Sequence, residues 1–183
     1  MRVTLAVLLA AACVRGAAAA DVPVSVDVQI SGEVVVVRVE CLVRATPRGV
    51  WNVLTDYEHA TRFISNLERS TVLSRSDERI VVSQRGRMGF GPFAVAVEAV
   101  NEILLTPHER TQSRSLSGSM KRYSATTRLI SEGEGTRILY RAESVPDVWI
   151  PPLIGPALIR SDTRGRFTEF VEEILRRKTQ APP

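Results

Sequence analysis

From residue 22 onward the chain alternates apolar and polar positions in short runs, then changes near its end to a helical period. Val22 to Ile30 and Val34 to Arg44 are rich in valine and are separated by Ser31-Gly32, which predicts two strands joined by a turn. At Thr46-Pro47 the period switches. Thr46 suits the cap of a helix, Pro47 its first residue, and Val50, Trp51 and Leu54 its apolar side. Asp56 is expected to cap a second short helical piece through Phe63 and Ile64. Six more strands are then predicted, Ser70 to Arg75, Arg79 to Met88, Phe93 to Leu105, Thr111 to Ser117, Tyr123 to Ile130 and Thr136 to Val145, each ended by Gly, Pro, Ser or Asp clusters. In the third of these Phe93, Val95, Val97, Ala99, Ile103 and Leu105 share a face, with Asn101 breaking the pattern. In the last, Ile138, Tyr140 and Ala142 oppose Arg137, Arg141 and Glu143. Strands of this kind make an antiparallel sheet with one apolar face, which needs a cover.

The cover is predicted at Pro156 to Lys178. Ile159, Thr163, Phe167, Phe170 and Ile174, with Val171, fall on one stripe of a 3.6-residue period. Arg176, Arg177 and Lys178 sit where cations favour the helix dipole. Such a helix is about 35 Å long, enough to cross a small domain. Its second half is aromatic and aliphatic, whereas Ser161, Asp162, Thr163 and Arg164 make the first half polar, facing either a loosely filled interior or solvent.

The first 20 residues lie outside this pattern and read as a secretory signal peptide: Arg2, an apolar stretch from Val3 to Ala12, and Ala18-Ala19-Ala20 before Asp21 as the cleavage site. Lipidation at Cys13, after Ala10-Ala11-Ala12, is the competing reading. The expected destination is the periplasm or the exterior. Cleavage would lower Lys and Arg from 24 to 22 against 20 Asp and Glu, so the net charge falls from +4 to +2. With no Lys/Arg run to meet phosphates, nucleic acid is excluded as the expected partner. Cys41 would be the one cysteine left, flanked by Val39 and Val43 in an alternating run, and is read as a buried strand residue. The 183 residues then divide into a leader (1–20), an additional strand (21–33), one domain (34–178) and a disordered tail (179–183).

Motifs for catalysis or metal binding are fragmentary. His108-Glu109 opens a zinc-protease pattern, but Gln112 stands where the second histidine is needed. Gly89-x-Gly91-x-x-Ala94 precedes a strand where a dinucleotide loop needs a helix N-terminus. Asp56, Glu58 and His59 are read as a helix cap with exposed charges. No cofactor or metal is expected. Asp147 to Ile154, apolar around Pro151-Pro152, is either a cavity rim, a membrane contact or a plug for the end of the core.

Thr46-Pro47, Val50-Trp51, Leu54-Thr55-Asp56-Tyr57-Glu58, Phe63-Ile64, Gly135-Thr136-Arg137-Ile138-Leu139-Tyr140, Pro146 and Pro151-Pro152, in this order and spacing, resemble the polyketide cyclase/dehydrase and coenzyme Q-binding START-like (SRPBCC) family. Ser65 departs from the proline frequent there after the Phe-Ile pair, and the strand before residue 34 lies outside the likeness. The resemblance implies an α+β helix-grip fold, a curved antiparallel sheet around a long C-terminal helix, with two short helices after the first family strand and an apolar cavity. Pattern and family shape together nominate Met88, Phe90, Tyr140, Trp149, Leu153, Leu158 and Asp162 as ligand-binding residues. The implied function is an exported, non-catalytic carrier of an apolar small molecule such as a lipid, quinone or polyketide-like compound. The alternatives are a cyclase/dehydratase, for which Asp162 and Tyr140 would be the proton carriers, and an envelope interaction module contacting partners through residues 149 to 154.

Overall fold

A computed structural model describes residues 22–88, 94–147 and 153–180. Phe90 and Trp149, the leader, and most of the proline-rich connection lie outside the described residues. Eight strands, β1 (Ser25–Ser31), β2 (Val34–Val43), β3 (Leu67–Arg75), β4 (Arg79–Met88), β5 (Val95–Thr106), β6 (Arg110–Gly118), β7 (Met120–Glu132) and β8 (Gly135–Pro146), form one antiparallel sheet in the order β1-β2-β8-β7-β6-β5-β4-β3. Helix α1 (Pro47–Leu54) and a single 3-10 turn (Ala60–Arg62) carry the chain from β2 to β3 at the opposite edge, and α2 (Gly155–Gln180) packs against α1, β1 and β2. This is the helix-grip fold that the resemblance implied, with the antiparallel sheet and covering helix that the pattern predicted.

Local chemistry explains the joints. The Thr46 hydroxyl accepts from the Gly49 N–H at 3.2 Å, capping α1 as expected. Asp56 caps nothing. Its carboxylate is drawn instead to His59 Nδ1 at 2.7 Å and to the Arg177 guanidinium at 2.8 Å, so the second helical piece shrinks to one turn with no side-chain cap. Glu58 pairs with Arg75 across the same corner. The Thr136 hydroxyl, fully buried, donates to the Ala45 carbonyl at 2.7 Å and ties the start of β8 to the entry of α1. The extra strand is integral: β1 pairs with β2 along its whole length, with Val26 and Val28 buried and Ser25 and Asp27 exposed, and Arg164 of α2 donates to the Val24 carbonyl. Helix α2 runs on to Gln180, past the boundary of the expected tail.

Among the described residues burial divides into two clusters. The larger joins β1, β2, β8 and α1 to Phe167, Val171 and Ile174 of α2. The smaller consists of Ile80, Val82 and Ile103, with Tyr57 and Leu105 against it. Cys41 lies in the larger cluster, and burial pushes its thiol up to about 11, so it is a packing residue. Between the two clusters the described residues leave the interior open.

Candidate functional site

The opening is a cavity of about 330 Å³ that both clusters border, within the range of small-molecule sites of about 300–1,000 Å³. Its floor is the inner face of β4 to β8, Val53, Ala60 and Ile64 line it from α1 and the connection after it, and its roof is the first half of α2. Because side chains alternate along a strand, β5 contributes Val97, Ala99, Asn101 and Ile103, and β6 contributes Thr111, Ser113 and Ser115. The interruption at Asn101 therefore places an amide in the wall of the cavity, and β6 adds hydroxyls where an apolar face was expected. The polar half of α2 faces this interior as well: Asp162, Thr163 and Arg166 line it beside Ile159, Phe167 and Phe170.

All three tyrosines of the chain, Tyr57, Tyr123 and Tyr140, reach the cavity, although they come from the α1–β3 connection, β7 and β8. The Tyr123 and Tyr140 hydroxyls lie 3.2 Å apart, and the Tyr140 ring stacks at a tilt on Phe167. Burial holds all three phenols above the ordinary tyrosine value, so they stay protonated at neutral pH. Above them Arg166 Nη2 donates to Asp162 at 3.3 Å, and Asn66 Nδ2 donates to the other oxygen of Asp162 at 3.1 Å. Arg166 Nε and Asn101 Oδ1 are buried with no hydrogen-bond partner among the described residues.

Of the residues nominated from sequence, Met88, Tyr140 and Asp162 stand in the cavity wall. Leu153 does not: its side chain is 96% exposed before the first full turn of α2. Leu158 is half-buried and lies outside the wall, while the next residue, Ile159, lines it, because one helical residue turns the side chain by about 100°. Tyr57, Tyr123, Asn101 and Arg166 were not nominated. Asn101 carried a legible signal as the polar break in an apolar face; the tyrosines carried none, since only the folded sheet brings them together. Among the described residues no cluster of His, Cys, Asp and Glu could hold a metal ion, and no helix is long and apolar enough to cross a membrane.

The sequence profile of the polyketide cyclase / dehydrase and lipid transport family matches residues 43–171, most of the chain. The chain belongs to this family. Solved structures agree on the fold. A STAR-related lipid transfer protein from Xanthomonas axonopodis superposes with a TM-score of 0.69 at 14% identity, covering 86% of this chain and 95% of its own. The Zhui aromatase/cyclase from a Streptomyces species gives 0.67 at 16% identity, with 79% and 95% covered. A protein from Thermus thermophilus gives 0.65 at 21% identity, with 76% and 97% covered. A sequence comparison with curated proteins found no match. Family and cavity together support a START-like domain that takes a hydrophobic ligand.

Proposed function

We propose that this family member is an exported carrier that holds an apolar small molecule of the lipid, quinone or polyketide-like kind between sheet and helix, without transforming it. The observation that carries the reading is the open space between two well-packed clusters, roofed by the amphipathic half of α2. Burying about ten methylenes there yields on the order of 8 kcal/mol gross, less several kcal/mol for lost translation and rotation. Micromolar affinity follows without a charged contact. Carriage is favoured over turnover because the cavity's carboxylates are already committed, Asp56 to Arg177 and His59 and Asp162 to Arg166 and Asn66, while the phenols hold their protons. Export rests on the pattern of residues 1–20. Exposed Leu153 and Ile154 at the start of α2 suit brief contact with a membrane surface during loading.

Native mass spectrometry of the protein purified from its exported fraction, with organic extraction, tests this. A discrete apolar mass on a chain beginning at Asp21 is expected. A bare protein that also ignores a panel of lipids and quinones would overturn the carrier reading, and retention in the cytoplasm with an intact N-terminus would overturn export.

A further inference from the structure

Among the described residues the sheet has two edges, β1 and β3, and they are finished differently. β3 is blunted: its pairing with β4 slips between Leu67 and Arg69 and again between Val72 and Ser74, and its Glu68 and Arg75 are held in ion pairs with Arg85 and Glu58. β1 carries none of these devices. Its register with β2 runs without a slip from Ser25 to Ser31, it holds no Lys, Arg or Pro, and its one charge, Asp27, is paired with Arg38 of β2 at 3.1 Å.

The turn decides which backbone groups point off this edge. Gly32, at φ 58°, is the first of the two residues between Ser31 and Val34, the place glycine takes in a type II′ hairpin. Ser31 and Val34 therefore exchange bonds, as do Gln29 with Val36 and Asp27 with Arg38, and the alternate residues Val26, Val28 and Ile30 turn their N–H and C=O groups outward. The Val24 carbonyl belongs to the same outward row, and Arg164 donates to it. Among the described residues no backbone group bonds the other three.

Read in either direction the strand has nearly the same character: Ser25-Val26-Asp27-Val28-Gln29-Ile30-Ser31. We propose that β1 pairs with β1 of a second copy of this chain, antiparallel and centred on Val28, so that two sheets become one about a twofold axis. Val28 then meets its own counterpart and Val26 meets Ile30, and each of these outward residues exchanges both its bonds with the other strand. On the inner face Ile30, 37% exposed in the single chain, gains the second copy's Val26 as a neighbour. On the outer face Gln29 stands opposite the second copy's Asp27 and donates its amide to that carboxylate, while Ser25 stands opposite Ser31. Charge selects this register. A pairing centred on Asp27 sets two aspartates face to face, and one centred on Gln29 shortens the overlap.

A short edge is at the small end of protein interfaces, so the dimer is expected to dissociate in the range of about 1–100 µM. Sedimentation velocity of the purified protein across that range should follow the change from monomer to dimer. Two changes at the exposed Gln29 read the register. Gln29→Asp sets like charges opposite each other at both ends of the pairing and should weaken the dimer about five-fold, whereas Gln29→Arg meets Asp27 with a cation and should tighten it by about the same factor. Ile30→Pro removes an outward N–H but no bond to β2, and should leave a monomer; the Gln29 pair keeps the test decisive where the proline disturbs folding. A dimer indifferent to both Gln29 changes overturns the inference, because another surface then holds it. A monomer at about 100 µM overturns it as well, including one whose edge takes up an extended segment of a different protein.

Discussion

Replacing Ala142 by Phe tests whether the interior is open or filled by the protein itself. Ala142 is 6% exposed in the wall of the cavity, and its cross-strand neighbours on the same face, Val37 of β2 and Ala125 of β7, are small. A ring added there must go into the open space. If that space is real, the ring gains burial worth about 1.5–3 kcal/mol for a side chain of this size, offset by about 1 kcal/mol or less for fixing its rotamer. The net effect is neutral to stabilising by about 2 kcal/mol. In a tightly packed core the same change would cost about 1–3 kcal/mol through overpacking, so the two cases differ in sign. The ring also takes a large share of about 330 Å³ and leaves less than an ordinary small-molecule site requires. Urea unfolding of both proteins and titration of each with the panel of lipids and quinones give the answer. The expected pair is unchanged or raised stability with binding lost. Stability lowered by about 2 kcal/mol or more, the overpacking range, with binding retained would refute the cavity as described.

Two further predictions concern the frame. Gly86 sits on β4 where a Cβ would stand 2.4 Å from the Asn66 carbonyl oxygen and 3.2 Å from Leu67 Cα, both backbone, so Gly86→Ala should cost about 1–3 kcal/mol and should also weaken binding, because Asn66 positions Asp162; chemical denaturation with unchanged stability would contradict it. The second is acid sensitivity. Burial raises the Asp56 carboxyl, but hydrogen bonds from Arg177 and His59 outweigh it and hold it below its ordinary 3.8, while Arg176 and Arg177 hold Glu173 below 4.5. A carboxyl more acidic in the folded state adds stability that is complete above its unfolded value and is lost as pH falls through its folded one. Melting temperature should therefore drop steeply below about pH 4, and Arg177→Met, which removes a partner from both carboxylates, should flatten that drop; parallel profiles for the two proteins would rule the clasp out.

Most of the architecture was legible because it depends on local periods. Arg79–Met88 was read to the residue, since a strand with one buried face must alternate and Ser76-Asp77 must turn. The Thr46-Pro47 cap depends only on three neighbouring residues and formed as read. Where neighbours in sequence compete with distant ones, local reading failed. Asp56 has the chemistry of a cap, but Arg177, 121 residues away, offers a full opposite charge, which a backbone N–H does not.

The site shows the same division more sharply. Sequence determined that the sheet would have an inner face, that Tyr140 would point into it, that Asn101 would interrupt it and that the first half of α2 would be polar. Only the tertiary structure decided that Tyr123 meets Tyr140 and that Arg166, next to the stripe that the helical period had already started at Ile159, also looks inward. It alone decided that Asn66 and Arg166 hold Asp162 between them. Strand alternation fixes a side chain's face to within one residue, whereas a helix has no fixed zero of rotation until its partners choose one, and hydroxyls far apart in the chain become neighbours only when the sheet closes over the helix.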